Sequence, residues 1–149
     1  SLKATIQEDM KTAMRGGDKA RLGVIRMLLA AIQIKEIEAR EQLTDGDVLT
    51  VVEKLIKQRN DSAQQFAAAD REERAATERA EAEMLKAYLP EQLSDAEVAE
   101  LVTAAIDEAG ATGMRDMGKV MATVRAATQG KADMGVVSGL VKARLSGST

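Results

Sequence analysis

The chain contains neither histidine nor cysteine. An imidazole base, a Ser-His-Asp triad, a histidine or cysteine zinc site, a thiolate nucleophile and a disulfide frame are therefore all excluded. Carboxylates remain, and the densest group is Glu72, Glu73, Glu78, Glu81 and Glu83. Arg71, Arg74 and Arg79 are interleaved with them, a pattern that reads as a solvated helix laced by i,i+3 and i,i+4 ion pairs. It does not read as an acid–base pair or a metal site. The run from Gly113 to Val120 (GMRDMGKV) comes within one residue of the phosphate-cradling GxxxxGK[ST] loop. Val120 stands where the magnesium-holding hydroxyl should be, and a helical pattern precedes the run where a strand is required. No catalytic residue, metal or cofactor is expected.

What remains is positive charge near the C-terminus. Residues 113–149 hold Arg115, Lys119, Arg125, Lys131, Lys142 and Arg144 against Asp116 and Asp133, a net of +4 in a chain whose total is −3. Residues 91–112, directly before, hold six acids and no base. Such segregation suggests an oriented electrostatic surface, or an acidic helix and a basic hairpin attracting each other internally. Lys119 and Arg125 fall well off the apolar line Met117, Val120, Met121, Val124, and Lys142 points away from its own stripe. Lys131 lies in the turn at Gly130. Gly118 sits in the first turn of a helix, where exposed amides favour an anion. Arg144 falls close to the apolar stripe, where it is expected to snorkel or to compensate the last carbonyls. Phe66 and Tyr88 are the only aromatics, with no Trp. RNA binding through this surface would therefore read phosphates and shape rather than stack bases.

The elements that must position these residues are helices. Leu2, Ile6, Met10 and Met14 predict a helix over 2–15, ended by Gly16-Gly17. Asp18 caps a second over roughly 19–41, striped by Leu22, Ile25, Leu29 and Ile32. Val24, Met27, Leu28, Ile34 and Ile37 spread apolar surface around its other sides. Thr44, with Asp47 as an imperfect capping box, opens a third helix to about Ala69. An exposed fourth, with a weak stripe of Ala80, Met84, Ala87 and Tyr88, covers 70–88 and ends before Pro90. Ser94 and Glu97 form a capping box for a fifth, which closes at Gly110. Two short helices around Gly130, the second capped by Asp133, complete the chain, followed by an SGST tail expected to be mobile. The fold class is all-α: an N-terminal multihelical bundle over 1–90, then a small three-helix tail domain over 91–149. No apolar run is long enough to cross a bilayer, and SLKATIQEDM is no signal peptide. Ser1 in place of Met reads as a processed or trimmed start. A cytoplasmic protein with no membrane or DNA partner is expected.

Four stretches, IKQRNDSAQQF (56–66), YLPEQLSDAE (88–97), DMGKVM (116–121) and GKADMGVVSGLVKARL (130–145), resemble the YqeY-like family in this order. The C-terminal part also resembles the tail domain of the B subunit of the tRNA-dependent glutamyl/aspartyl amidotransferase. Gly118, Val120 and Met121 match its helix start, Gly130, Lys131 and Ala132 its turn, and Leu140, Val141, Lys142 and Leu145 its closing helix. The segment DREERAATERAEAE (70–83) is more polar and more alanine-rich than the family pattern. The resemblance implies an all-helical, two-part fold and a tail that in the amidotransferase contacts tRNA. The expected function is that of a non-catalytic accessory protein binding tRNA. Lys119, Lys131 and Lys142 would contact phosphates, Arg125 would support them, and Gly118 would allow close backbone approach. The alternative is a module that docks on an amidotransferase or aminoacyl-tRNA synthetase. A stand-alone carbon–nitrogen ligase using glutamine ranks last, because no ATP site or ammonia source is visible.

Overall fold

The computed structural model describes residues 1–147; Ser148 and Thr149, the end of the tail expected to be mobile, lie outside the described residues. Among the described residues there are seven α-helices, one short 3-10 turn and no strand. They form two compact units, Ser1–Leu89 and Pro90–Thr149.

The first unit contains α1 (Leu2–Gly16), α2 (Lys19–Ala39), α3 (Asp45–Ala68) and α4 (Glu72–Lys86). Local chemistry sets each boundary. Ser1 and Asp18 accept from the amides of Ala4 and Arg21 at the starts of α1 and α2. Gly17, at φ 67°, lets the chain turn out of α1 in the left-handed region that a side chain disfavours. Thr44 and Asp47 bond reciprocally at 3.1 Å each, so the shorter aspartate closes the capping box as a glutamate would. Ile6, Ile25, Leu28, Ile32, Val48, Val52 and Leu85 form the buried centre of this unit. Polar clamps surround it: Lys3 meets Glu36 at 2.6 Å, and the Tyr88 hydroxyl donates to Asp9 at 2.6 Å.

Helix α4 differs from expectation. Ala75, Ala82 and Leu85 are buried, whereas Ala80 and Ala87 are exposed. The apolar stripe is rotated because α4 packs along α3 through small side chains, and Glu78 and Glu81 share the packed side. There they face Arg59 of α3, at 3.9 Å and 4.0 Å from its Nε. All three side chains are largely covered, at 18%, 24% and 27% exposure. Arg59 also reaches the Met27 sulfur of α2. Glu78 and Glu81 are thus not part of a purely solvated face. At the α3–α4 turn, Arg71 and Arg74 lie over the Phe66 ring at 5.4 Å and 5.6 Å.

The second unit contains α5 (Asp95–Ala109), the turn Met114–Asp116, α6 (Met117–Thr128) and α7 (Met134–Leu145). Ser94 and Glu97 form the expected capping box, and Gly110 ends α5 at φ 62°. Asp133 caps α7 by accepting from the amides of Gly135 at 2.8 Å and Val136 at 3.2 Å. A Cβ on Gly135 would lie 3.1 Å from the same carboxylate oxygen, so glycine fits the cap. Val98, Val102, Val120, Val124, Val137 and Val141 dominate this core. The Leu93 amide and the Gln92 side chain donate to the carbonyls of Lys131 and Gly130, tying the lead-in to α5 onto the α6–α7 turn.

Candidate nucleic-acid interface

The basic residues of the second unit are carried by α6, the turn after it and α7. At about 100° per residue, Gly118 and Arg125 fall on one line of α6 and Lys119 about 100° round from Gly118. Val120, Met121 and Val124 occupy the buried side. Gly118, Lys119, Arg125, Lys131 and Lys142 are all exposed. A Cβ on Gly118 would meet nothing within 4 Å, so the backbone there is open to approach.

Their surroundings differ. Lys119 donates from Nζ to the Ala109 carbonyl at 3.3 Å, placing a cation at the C-terminus of α5, where carbonyls lack helical partners. Lys131 is held through its backbone: its amide donates to Thr128 and its carbonyl accepts from Leu93, both at 2.8 Å, while its side chain is exposed. Arg144 donates to the Thr103 hydroxyl of α5 at 2.7 Å, rather than to the carbonyls at its own helix end. Among the described residues, no ion pair joins the acids of α5 to the bases of the hairpin. The contacts that do bridge them, from Lys119 and Arg144, end on neutral oxygens.

The start of α6 is not an abrupt row of amides. The 3-10 turn Met114–Asp116 runs into it, and the Met117 amide bonds to the Met114 carbonyl. Asp116 adds negative charge at this end. The Thr112 amide donates to its carboxylate at 3.0 Å and that of Gly113 at 3.4 Å. The Thr112 bond first, then that of Gly113 and the charges of Arg115 and Lys119, hold its carboxyl below the usual range. The near-miss phosphate loop is therefore closed by its own aspartate.

Sequence reasoning missed the Arg59–Glu78–Glu81 group, because spacing cannot show which arginine of another helix will face a glutamate. A cleft of about 520 Å³ lies where α2, the 40–44 loop and α3 meet, lined by Lys35, Glu38, Leu43, Asp47 and Val51. Three of its four charged groups are already engaged: Lys35 pairs with Glu38 at 3.5 Å, and Asp47 closes the α3 cap, while Glu41 also lines it. Among the described residues, no group of three or more acidic, histidine or cysteine side chains is placed to hold a metal.

Residues 3–145 match the family described as Yqey-like protein. The chain belongs to the YqeY-like family. Curated relatives include altered inheritance of mitochondria protein 41, mitochondrial, from Pyrenophora tritici-repentis. That protein is 33% identical over 129 residues, 85% of this chain and 71% of the relative. The protein of that name from Lachancea thermotolerans is 36% identical over 107 residues, covering 67% of this chain and 57% of its own length. The one from Clavispora lusitaniae is 33% identical over 111 residues, covering 72% and 64%. This YqeY-like chain thus spans less than two thirds of two of these relatives. Their names correct the cytoplasmic expectation, since all three are named as mitochondrial. The lack of cysteine, on which that expectation leaned, bears on the redox state of a compartment and not on its identity.

Proposed function

We propose that this YqeY-like protein is a non-catalytic accessory factor whose C-terminal unit binds tRNA through its phosphates. The observation that carries the reading is the state of the hairpin's cations. Lys119, Arg125, Lys131 and Lys142 are exposed and form no ion pair among the described residues, although six acids precede them in sequence. Cations left without carboxylate partners suit phosphate contacts, and the lack of stacking aromatics suits a folded RNA rather than an open strand. Lys131 and Lys142 are the principal contacts, Arg125 supports them, and Gly118 admits the backbone. Lys119 contributes through the two N–H donors that Ala109 leaves unused.

The test is binding of unfractionated tRNA across a range of salt concentrations, with the parent beside the Lys119/Lys131/Lys142→Ala variant. Each lost phosphate contact should reduce the salt slope by roughly 0.7–0.9. No binding at low salt, or an unchanged slope in a folded triple variant, would overturn the reading. A second reading, docking on a protein such as an amidotransferase or synthetase, draws on Val136, 62% exposed in the first turn of α7. Its mark would be an association that resists salt and is lost in Val136→Asp.

A further inference from the structure

Helices α6 and α7 repeat one another in sequence. Residues 116–128 and 133–145, seventeen positions apart, are identical at six of thirteen places: Asp116/Asp133, Met117/Met134, Gly118/Gly135, Val120/Val137, Val124/Val141 and Ala126/Ala143. Arg125 and Lys142 share a charge at a seventh place, and Ala122 and Gly139 are both small at an eighth. The fold treats the two copies alike. Both valines of each repeat are buried, whereas the glycine, the small residue and the cation of each are exposed. We propose that α6 and α7 are two equivalent half-sites for one phosphate backbone, each offering a line poor in side chains with a cation at its end. This rests on the tRNA reading above and goes beyond it. Arg125 is to α6 what Lys142 is to α7, a direct contact in its own right.

Helix building explains part of the repeat. Valines four residues apart fill the core, and a cation in the last turn suits the carbonyls there. It does not explain the rest. Asp133 caps α7 through the amides of Gly135 and Val136, but Asp116 turns back to those of Thr112 and Gly113. The first copy thus keeps Asp-Met-Gly without the cap that the second makes from it. Gly135 fits against Asp133, whereas a Cβ on Gly118 or Gly139 would meet nothing within 4 Å. Gly139 lies in the middle of α7, where glycine is unfavourable relative to alanine. A demand common to both copies, and not set by their caps or cores, comes from outside the chain.

On each helix the glycine and the cation are seven residues apart, so they lie on one line roughly 10 Å long. The small residue, four on from the glycine, lies about 40° round from it. A backbone laid along that line meets no side chain larger than a methyl before it reaches the charge. Because two helices repeat the arrangement, the partner must present two like groups. A folded nucleic-acid backbone does so with its phosphates, and a small single anion does not. Lys119 and Lys131 fall outside the repeat: Val136 stands at the place of the first, and Met114 at that of the second. Equality is therefore expected of Arg125 and Lys142 and not of the other two.

Binding of unfractionated tRNA by the intact chain, over a range of salt concentrations, tests this through Arg125→Ala, Lys142→Ala and the double variant. Each single change should lower the salt slope by the same amount, roughly 0.7–0.9, and the double by the sum. Ala122→Leu and Gly139→Leu fill the two lines without altering charge. Both should weaken binding, by roughly tenfold if a misplaced side chain there costs what overpacking does, and leave the slope as it was. Their circular dichroism should match the parent's, since both sites are exposed and leucine is a good helix former. A slope that falls in one of the alanine variants and not in the other overturns the equivalence and leaves tRNA binding standing. Leucine variants that bind as the parent does overturn the close approach, and with it the proposal. A parent that binds no tRNA at low salt is a separate failure, which overturns the underlying reading as well.

Discussion

Removing the Arg59 charge is expected to destabilise the N-terminal unit more than removing the whole charged group around it. Arg59 faces Glu78 and Glu81 between α3 and α4, and its Nε and Glu81 Oε2 are buried without a hydrogen-bond partner. Arg59→Met keeps the aliphatic volume beside Met27 but leaves two carboxylates, one helical turn apart, facing an apolar seam. Breaking a fully buried pair costs about 3–5 kcal/mol, and the 18–27% exposure of these side chains reduces this to about 1–2 kcal/mol. For a unit of this size that corresponds to a fall of roughly 5–15 °C in melting temperature. Replacing all three with Arg59→Met, Glu78→Gln and Glu81→Leu should recover most of the loss, since an apolar substitute of similar volume needs no desolvated charge. The assay is thermal unfolding by far-ultraviolet circular dichroism, which suits a chain without Trp. An Arg59→Met chain as stable as the parent, or a triple variant no better than the single, would refute the argument.

Asp133→Ala should cost the C-terminal unit about 1 kcal/mol through the lost α7 cap, and Asp133→Asn, which keeps an acceptor, much less. Urea denaturation of the two variants checks this. Glu36 is held below its ordinary value near 4.5 by its hydrogen bond from Lys3 first and then from the Leu43 amide. Its contribution is therefore complete above that value and lost as pH falls through the lowered one. The stability gap between parent and Glu36→Gln should be level at neutral pH and shrink below about pH 4.5. Gly139→Ala should raise the melting temperature, by about 0.4–1 kcal/mol in stability, because the site is helical and a Cβ meets nothing there.

The helices were legible because their boundaries are local. Ser1, Asp18, Thr44, Ser94 and Asp133 each cap a helix from a side chain two or three residues away from the amide it accepts from. Gly17 and Gly110 end helices through their own backbone angles. The face of α4 was not legible for the opposite reason. Its sequence is so rich in alanine that several registers look alike, and the choice is made by contact with α3. Arg59 shows the same limit: nothing near it in sequence marks it as the residue that Glu78 and Glu81 would face. For the candidate interface, exposure of Lys119, Arg125 and Lys142 followed from their position off the apolar lines, and that of Lys131 from its place in the Gly130 turn. Two details depended on neighbours distant in sequence: Lys119 reaching Ala109, and Arg144 reaching Thr103.

Internal packing leaves two features of this chain without a reason. One is the helical glycines at 23, 118 and 139, around which a side chain would have room. The other is the set of hairpin cations without carboxylate partners. A fold optimised only for its own stability would favour alanine at the glycines, with a gain at each. It would also disperse the like charges or pair them, since uncompensated charge of one sign repels itself. Both departures lie on exposed surface, away from the two cores, so neither is forced by burial. The physical explanation that covers both is contact with something outside the chain. The glycines admit a close backbone, and the cations meet a charge that the chain does not supply. Raising ionic strength should weaken the contact the cations make, because their anionic partner gives up counterions on binding.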